Sequence, residues 1–369
     1  MKRKVLLTLV LTCFAVSAWS QAATEHTITS FDVAGAGTGT YQGTYPTAIA
    51  DTGAVTGFYL DSRNVYHGFV RATDGSITAF DGPGAGNEKY QGTFPYSMNE
   101  AGAIVGVYSD SGTVYHGFLR APDGTITDIN VAEAGTHRNQ GTNAININSK
   151  GEIAGTYTDS KGVAHAYVMA PDGTVATLTA SGAGTKSGQG TSTSTCDGLN
   201  ASGTLSAGYI DSNGAWHGLL RTADGKLIYF DVAGGGTGAG QGTNDAGINN
   251  GGTLMGTMTD SNNVYHGYVR APDGTITKFD VPGAGTAAYQ GTEPANINNA
   301  GEITGEYFDK NNVFHGFVRS AEGAITKFNV PQAGTEAGQG TYPYSNNASG
   351  AVTGNYIDSG NVVHGFVWN

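Results

Sequence analysis

The chain has 369 residues, of which 59 are glycine and only 10 are proline, and charged residues make up 13% of it. Glycine at this density excludes a long helical bundle, and scarce proline without a three-residue glycine period excludes a collagen-like chain. Hydrophobic residues at 38% and aromatic residues at 10% are too many for a disordered chain, so the composition indicates a turn-rich, all-β protein.

The charge balance excludes two classes of partner. Thirty acidic against 18 basic residues give a net charge of −12 at pH 7. Few and scattered basic residues on so acidic a chain argue against binding to nucleic acid or to an anionic membrane surface. We therefore expect no nucleic-acid partner and no membrane insertion, and interpret the acidic surface as a solubility device.

The N-terminus has the pattern of a secretory signal peptide. A basic segment at residues 2–4 precedes an apolar run, Val5–Val16, and residues 20–22 (Ser-Gln-Ala) fit the small-residue cleavage rule, with residues 16–18 as the alternative. The apolar run is too short for a permanent membrane anchor. We expect residues 1–22 to be removed and the protein to be secreted to the extracellular space or periplasm. Cys196 is then the single cysteine, so no intramolecular disulfide forms.

Internal repetition determines the predicted architecture. The tripeptide Gln-Gly-Thr recurs every 49 residues, with one step of 52, and a histidine follows each glutamine by 25 residues, or by 28 where the step is longer. The glutamines are Gln42, Gln91, Gln140, Gln189, Gln241, Gln290 and Gln339. The histidines are His67, His116, His165, His217, His266, His315 and His364. A period of this length is typical of repeat architectures built from one supersecondary unit.

Each repeat contains four strand-like segments separated by turn signals. In the sixth repeat we predict strands over residues 292–298, 302–308, 313–319 and 324–330. Asp-Gly at the third turn, as at Asp74 and Asp123, favours tight hairpins with positive φ. Apolar residues on both faces of the strands, such as Val313 and Phe314, indicate a sheet that is covered on both sides.

The phase of the repeats predicts how the fold closes. The chain begins with a fourth-strand segment, Ile28–Val33, and ends in a third-strand segment at residues 364–368. The first segment can therefore complete the last repeat, which an open solenoid with distinct capping ends would not need. We predict an all-β fold, a seven-bladed β-propeller of four-stranded blades over residues 23–369, closed by its N-terminal strand as a single domain.

The repeats resemble those of a known family. Units such as YQGTEPANINNAGEITGEYFDKNNVFHGFVR are similar to the bacterial extracellular HAF-repeat proteins, through their His-small-aromatic element and their Asn-x-x-Gly turn. The element reads His-Gly-Phe in four repeats, and His165-Ala166-Tyr167, His217-Gly218-Leu219 and His266-Gly267-Tyr268 in the others. The resemblance covers nearly the whole mature chain. It implies a secreted, propeller-like protein without a defined reaction, so no catalytic residue is carried over.

The seven histidines invite a metal-binding or general-base interpretation. However, each one follows an aspartate by six residues, as His67 follows Asp61, and this pairing recurs in every repeat. A residue that every unit contains is expected to serve the unit. We therefore predict histidines that hydrogen-bond within or between blades, no metal site and no cofactor.

Residues that differ between repeats lie mainly around Gln-Gly-Thr, in the connection from a fourth strand to the next first strand. We expect this connection and the turn from second to third strand to emerge on one face of the ring, around its funnel. Aromatic residues occupy the variable positions in repeats that a closed ring makes neighbours. The predicted aromatic side comprises Tyr41, Tyr45, Tyr90, Phe94, Tyr96, Tyr342 and Tyr344.

The other side of the funnel is predicted to be polar, with Asn143, Asn244, Asp245 and Glu293. Aromatic faces beside amide and carboxylate groups suit a polyhydroxylated ligand, because its C–H faces stack while its hydroxyls exchange hydrogen bonds. We predict a monomeric, secreted, non-enzymatic protein that binds an extracellular glycan or another polar small ligand at these positions. The alternative is that the tyrosines pack between blades or stand singly on a wet surface.

Two other functions are left open by the sequence. One is a polysaccharide-active enzyme, a lyase or glycosidase, using the inserted segment at residues 192–197 or His137 and Arg138. No acid pair stands out in the sequence to support it, and no catalytic motif names a reaction. The other is a structural envelope or matrix protein that binds through the blade rims.

Overall fold

The computed structural model describes residues 26–193 and 198–369, and every helix or strand assigned in these ranges is a β-strand. The predicted signal peptide and Cys196 lie outside the described residues. Twenty-eight strands follow one another along the chain. The all-β expectation is therefore confirmed.

The strand pairings divide the chain into seven four-stranded units. Unit 1 contains β2 (Gly43–Ile49), β3 (Val55–Leu60), β4 (Tyr66–Arg71) and β5 (Ile77–Phe80). Unit 2 contains β6 (Gly92–Met98), β7 (Ile104–Ser109), β8 (Tyr115–Arg120) and β9 (Ile126–Ile129). Unit 3 contains β10 (Gly141–Ile147), β11 (Ile153–Thr158), β12 (Ala164–Met169) and β13 (Val175–Leu178). Unit 4 contains β14 (Gly190–Thr193), β15 (Leu205–Ile210), β16 (Trp216–Arg221) and β17 (Leu227–Phe230). Unit 5 contains β18 (Gly242–Ile248), β19 (Leu254–Thr259), β20 (Tyr265–Arg270) and β21 (Ile276–Phe279). Unit 6 contains β22 (Gly291–Ile297), β23 (Ile303–Phe308), β24 (Phe314–Arg319) and β25 (Ile325–Phe328). Unit 7 contains β26 (Gly340–Asn346), β27 (Val352–Ile357) and β28 (Val363–Trp368), and β1 (Ile28–Phe31) is its fourth strand.

The first and last strands close the ring. β1 pairs antiparallel with β28, from Ile28 opposite Trp368 to Phe31 opposite Gly365. β28 also touches β2 of unit 1 through the parallel partners Gly43 and Val363, as each third strand touches the next first strand. The closed, repeated-strand arrangement that the phase of the repeats predicts is confirmed.

The hydrophobic core lies between neighbouring units. One buried cluster combines Val55 and Phe69 of unit 1, both fully buried, with Val367 of unit 7. Another combines Ala50 of unit 1 with Phe118 of unit 2. Because each sheet buries one face against the preceding unit and one against the next, no unit is a separate domain.

Each of the three residues of the Gln-Gly-Thr motif has a structural role. The Gln42 amide donates from Nε2 to the carbonyl oxygen of Ser62 (3.2 Å), which clamps the incoming loop to the turn between β3 and β4. Gly43 has a φ of 131°, and a Cβ there would overlap the carbonyl oxygen of Val363. The hydroxyl of Thr44 accepts a hydrogen bond from the backbone N–H of Val33 at 3.0 Å. The motif therefore joins consecutive units.

The repeated histidine is also held by the fold. His67 lies with Nδ1 3.0 Å from Asp81 and Nε2 3.8 Å from Asp61, and its ring stacks on Tyr59 at 5.0 Å between centroids. The hydrogen bond to Asp81 raises the pKa of His67. Equivalent contacts surround His217 and His364. These contacts are the intra-unit hydrogen bonds that the repeat pattern predicts.

A ring of asparagines fastens the turns between first and second strands. Each donates from Nδ2 to the backbone carbonyl of the equivalent residue in the next unit, at 2.9–3.2 Å. The donors are Asn99, Asn148, Asn200, Asn249, Asn298 and Asn347. Unit 1 has Ala50 at this position, so its side chain offers no amide to unit 2.

Candidate functional site

Two sets of connections meet at one face of the ring, as the sequence predicts. The backbone N–H of Tyr41, before β2, donates to the carbonyl of Asn361 in the turn between β27 and β28 (2.7 Å). The N–H of Tyr90 donates in the same way to Asn64 of unit 1 (2.8 Å). We call the face formed by these loops and turns the funnel face.

Three exposed tyrosines on the funnel face have a strained backbone. Tyr41, Tyr90 and Tyr289 have φ values of 57°, 66° and 65°, in the left-handed region that side chains with a Cβ disfavour. They occupy equivalent positions in units 1, 2 and 6, and units 4, 5 and 7 have glycine there. Their side chains are 50%, 57% and 63% exposed, so packing does not hold them in this conformation.

Tyr41 and Tyr90 stand at a cavity of about 290 Å³ between units 1 and 2. Four of the predicted site residues line it together. The full lining is Thr40, Tyr41, Tyr45, Phe58, Leu60, Asn64, Tyr66, Tyr90 and Phe94. We call this the aromatic cavity. Sequence reasoning missed Phe58 and Tyr66, although both differ between repeats: the equivalents in unit 3 are Thr156 and Ala164.

The rings of the aromatic cavity are held by one another. Tyr45 stacks on Phe58 with centroids 4.8 Å apart, and Phe94 lies 5.2 Å from Phe58 and 4.0 Å from Tyr66. The Tyr45 hydroxyl donates to the carbonyl of Tyr41 at 2.7 Å. Burial, with the nearby Tyr66 and Tyr41, raises the pKa of Tyr45, so its hydroxyl remains a neutral donor.

The other predicted aromatic residues lie outside this cavity. Tyr342 packs on Phe314 at 3.9 Å between centroids and donates its hydroxyl hydrogen to the carbonyl of Gly338 (3.0 Å). Burial is the main cause that raises the pKa of Tyr342, and the nearby Tyr344 adds to it. Burial also raises the pKa of Tyr96 to about 12. The predicted aromatic side is thus divided between an open cavity and tyrosines that pack within the ring.

The predicted polar side is spread over several units. Asn143 is half-buried, and its backbone carbonyl accepts the hydroxyl of Tyr167 at 3.2 Å. Asn244 is exposed, and its carbonyl accepts the hydroxyl of Tyr268 at 3.3 Å. The side chain of Asp245 is not among those described. Glu293 is half-buried in unit 6.

Glu293 belongs to an acid pair, which corrects the expectation that none stands out. It lies directly opposite Glu306 across the β22–β23 ladder. Burial raises the pKa of Glu293 to about 7, and burial together with the nearby Glu293 raises the pKa of Glu306 well above its usual range. The Oε2 atom of Glu306 is buried without a hydrogen-bond partner among residues 26–193 and 198–369.

A smaller opening of about 140 Å³ lies on the opposite face of the ring. The turns between first and second strands of all seven units line it, including Asn148 and Asn249 of the asparagine ring. Their amide groups are engaged in the inter-unit hydrogen bonds. Within the described part of the chain no group of three or more His, Cys, Asp or Glu side chains could hold a metal ion, and no helix there is long and apolar enough to cross a membrane.

Comparisons with known proteins bear on the fold. No family model matches the chain, and no curated protein matches it. Among solved structures, puromycin hydrolase is 14% identical with a TM-score of 0.52, and the match covers 85% of this chain and 50% of that one. The Aleuria aurantia lectin in complex with Fucα1-6GlcNAc is 13% identical with a TM-score of 0.46, covering 84% of this chain and 100% of the lectin. The chain thus spans about half the length of puromycin hydrolase, and over that half the match shows a likeness of fold alone.

Proposed function

We propose that the protein is a secreted, non-enzymatic seven-bladed β-propeller that binds a glycan or similar polyhydroxylated ligand in the aromatic cavity. The seven four-stranded units are then the blades, and β1 closes the seventh. The signal-peptide pattern at residues 1–22 supports secretion. The acidic net charge favours a neutral or cationic ligand over an acidic polysaccharide.

The observation that carries this proposal is the conformation of Tyr41 and Tyr90. A non-glycine residue in the left-handed region costs about 1 kcal/mol, and glycine at the equivalent Gly188 and Gly240 avoids that cost. Rings that are half exposed recover little of it through burial. Backbone strain retained beside a cavity is a mark of a functional site.

The chemistry of the aromatic cavity suits a sugar. Tyr41 and Tyr90 are about half exposed, so a pyranose can reach their rings and stack its C–H face there, although the Lys89 ammonium lies over the Tyr90 ring (4.7 Å). Thr40 and Asn64 place a hydroxyl and an amide in the same wall, where they can exchange hydrogen bonds with ligand hydroxyls. Leu60 and the inner rings provide an apolar floor, so the wall combines both kinds of contact that a polyhydroxylated ligand needs.

A glycan array followed by calorimetry on the best ligand tests the proposal. We expect the double variant Tyr41→Gly/Tyr90→Gly to lose at least tenfold in affinity, because glycine preserves the backbone conformation and removes only the rings. For an uncharged ligand Tyr289→Gly is the matched control, since Tyr289 has a similar φ and exposure but lies in unit 6. Undiminished affinity in the double variant would place the ligand elsewhere, and the absence of binding to any glycan would refute the proposal.

A further inference from the structure

The junction between units 6 and 7 repeats the positions that form the aromatic cavity, with different chemistry. Glu293 and Glu306 take the places of Tyr45 and Phe58, and Phe308 takes that of Leu60. Phe314 and Tyr342 remain aromatic, at the places of Tyr66 and Phe94. The strained, exposed Tyr289 stands where Tyr41 stands in unit 1. The positions that are aromatic between units 1 and 2 are thus partly acidic and partly aromatic between units 6 and 7. We call this set of residues between units 6 and 7 the acidic junction.

The side chains of the acidic junction lie close together. Phe314 is 4.2 Å from Phe308 and 3.9 Å from Tyr342 between ring centroids. Glu306 lies directly opposite Glu293 across the β22–β23 ladder. In addition to burial, the charge of Glu293 raises the pKa of Glu306, and Glu306 in turn raises the pKa of Tyr342 in unit 7, so the three side chains are neighbours. The equivalent side chains of other units point the same way: Phe58 reaches Phe94 of unit 2.

Two hydrogen-bond acceptors in this region are buried without a donor in the described chain. One is Oε2 of Glu306, and the other is Oδ1 of Asn355, which occupies the equivalent position in unit 7 and is 1% exposed. In unit 3 the equivalent Thr156 has a partner, because its hydroxyl pairs with that of Thr193 in the next unit at 3.3 Å. A buried polar group without a partner is costly and calls for an explanation. The described chain supplies a partner to neither atom.

We propose that the acidic junction binds a protonated primary amine, of the kind carried by an amino sugar or an aliphatic polyamine. An ammonium group has only donors, and the two orphan atoms are both acceptors. Carboxylates supply charge-assisted hydrogen bonds, and the faces of Phe314 and Tyr342 supply cation–π attraction. The acidic junction lies between units 6 and 7 and the aromatic cavity between units 1 and 2, although Tyr342 lies near Tyr41 and Tyr45.

The burial of Glu306 gives this binding a second signature. Burial and the neighbouring Glu293 favour the protonated form of the free carboxyl, and Tyr342 is the other titratable group that faces it. An ammonium beside Glu306 stabilises the carboxylate, so the carboxyl proton leaves to solvent while the amine keeps its own. Binding therefore releases a proton, and the measured enthalpy depends on the ionisation enthalpy of the buffer.

Calorimetry with four probes tests the assignment. The probes are a glucosamine tetramer, spermidine, and their uncharged counterparts, an N-acetylglucosamine tetramer and triethylene glycol. Each is titrated at neutral pH in phosphate and in MOPS, a buffer without a primary amine, against the wild type, Glu306→Gln and Glu306→Thr. The threonine variant copies Thr156 and Thr257 at the equivalent position, so the fold of the unit tolerates it.

We expect at least one amine to bind tenfold or more tightly than its uncharged counterpart, with buffer-dependent heat. Both Glu306 variants should reduce that affinity at least tenfold and reduce the difference in heat between the two buffers, to the part that Glu293 contributes. A response to the tetramer alone identifies an amino sugar, and a response to spermidine identifies a polyamine. Either supports the assignment.

Three results would overturn it. The first is that the amines bind no more tightly than the uncharged probes. Water would then be the only hydrogen-bond partner of the Glu306 carboxyl. The second is affinity unchanged in both Glu306 variants. The third is loss of spermidine binding in Tyr90→Gly, which would place the ammonium in the aromatic cavity. The Tyr90→Gly variant also separates the two hypotheses, because sugar binding in the aromatic cavity can fail while spermidine binding persists.

Discussion

Asn347 donates from Nδ2 to the backbone carbonyl of Ala50, 3.1 Å away, and so joins the last unit of the ring to the first. This bond is one of six that run in the same direction around the axis. At the junction of units 1 and 2 the donor is absent, because Ala50 has no amide. The junction that carries the aromatic cavity is therefore the one that the asparagine ring does not fasten.

Completing the ring should stabilise the protein. Ala50→Asn supplies an Nδ2 donor for the carbonyl of Asn99 and an Oδ1 acceptor for the turn that follows, as Asn99 does in unit 2. We expect a gain of about 1 kcal/mol in the free energy of unfolding, measured by denaturant titration.

The reverse change is its control. Asn99→Ala should cost roughly 1–3 kcal/mol, because it removes the bond to Asn148 (3.2 Å) and two acceptor contacts to backbone N–H groups. A destabilised Ala50→Asn protein would show that the site cannot accommodate the amide and that the ring is complete with six bonds.

The strain at the mouth of the aromatic cavity can be measured without a ligand. Tyr90→Gly should be about 1 kcal/mol more stable than Tyr90→Ala, because alanine keeps the Cβ that is disfavoured at a φ of 66°. Thermal unfolding of the pair gives this difference, and the same pair at Tyr229, an exposed strand tyrosine, should give the opposite order. Equal stability of the two Tyr90 variants would remove the strain on which the proposed function depends.

The sequence predicted the strands and their repetition more completely than it predicted the residues of the candidate site. The spacing of Gln42 and His67 repeats along the chain, and the sixth unit has its strands within about two residues of the predicted bounds. Tyr41, Tyr45, Tyr90 and Phe94 were predicted as site residues because they vary between repeats, and the structure brings them into one cavity.

Phe58 and Glu306 escaped prediction because of the strand register. A bulge between Pro46 and Ala48 shifts the β2–β3 ladder by one residue, and only then does Tyr45 lie opposite Phe58. The same bulge in unit 6 places Glu293, rather than Pro294, opposite Glu306. Bulges are set by tertiary packing as well as by local sequence, so counting back from the turn gives the wrong partners.

The glycine of Gln-Gly-Thr should be intolerant of any side chain. Gly92→Ala forces a Cβ into the backbone carbonyl oxygen of Tyr66 in the preceding unit. The φ of Gly92 is also 121°, a value that alanine disfavours. We expect a loss of several kcal/mol, or failure to fold. Gly173→Ala is the matched control, since it also has a positive φ (87°) but no atom within 4 Å, and should cost about 1 kcal/mol. Similar losses in the two variants would contradict the close approach of units 1 and 2.

The acid pair should make stability depend on pH. Burial raises the pKa of Glu293 from 4.5 in the unfolded chain to about 7, so the folded state holds more protons between these values. The free energy of unfolding must therefore fall as the pH rises through that window, by roughly 3 kcal/mol for this group. The pKa of Glu306, which faces it, shifts in the same direction, so Glu306 adds to the fall from the same unfolded value upward.

Glu293→Gln tests this dependence, because the amide keeps the shape and cannot ionise. Because Glu306 titrates in the same direction, we expect the variant to lose about half of the slope between about pH 5 and 7 and to be more stable than the wild type at neutral pH. Glu336→Gln, at an exposed position, should follow the wild-type profile. Denaturant titrations at a series of pH values give the comparison. A wild-type protein that gains stability from pH 5 to 7, or a Glu293→Gln profile parallel to it, would show that Glu293 is ionised in the folded state at ordinary cost.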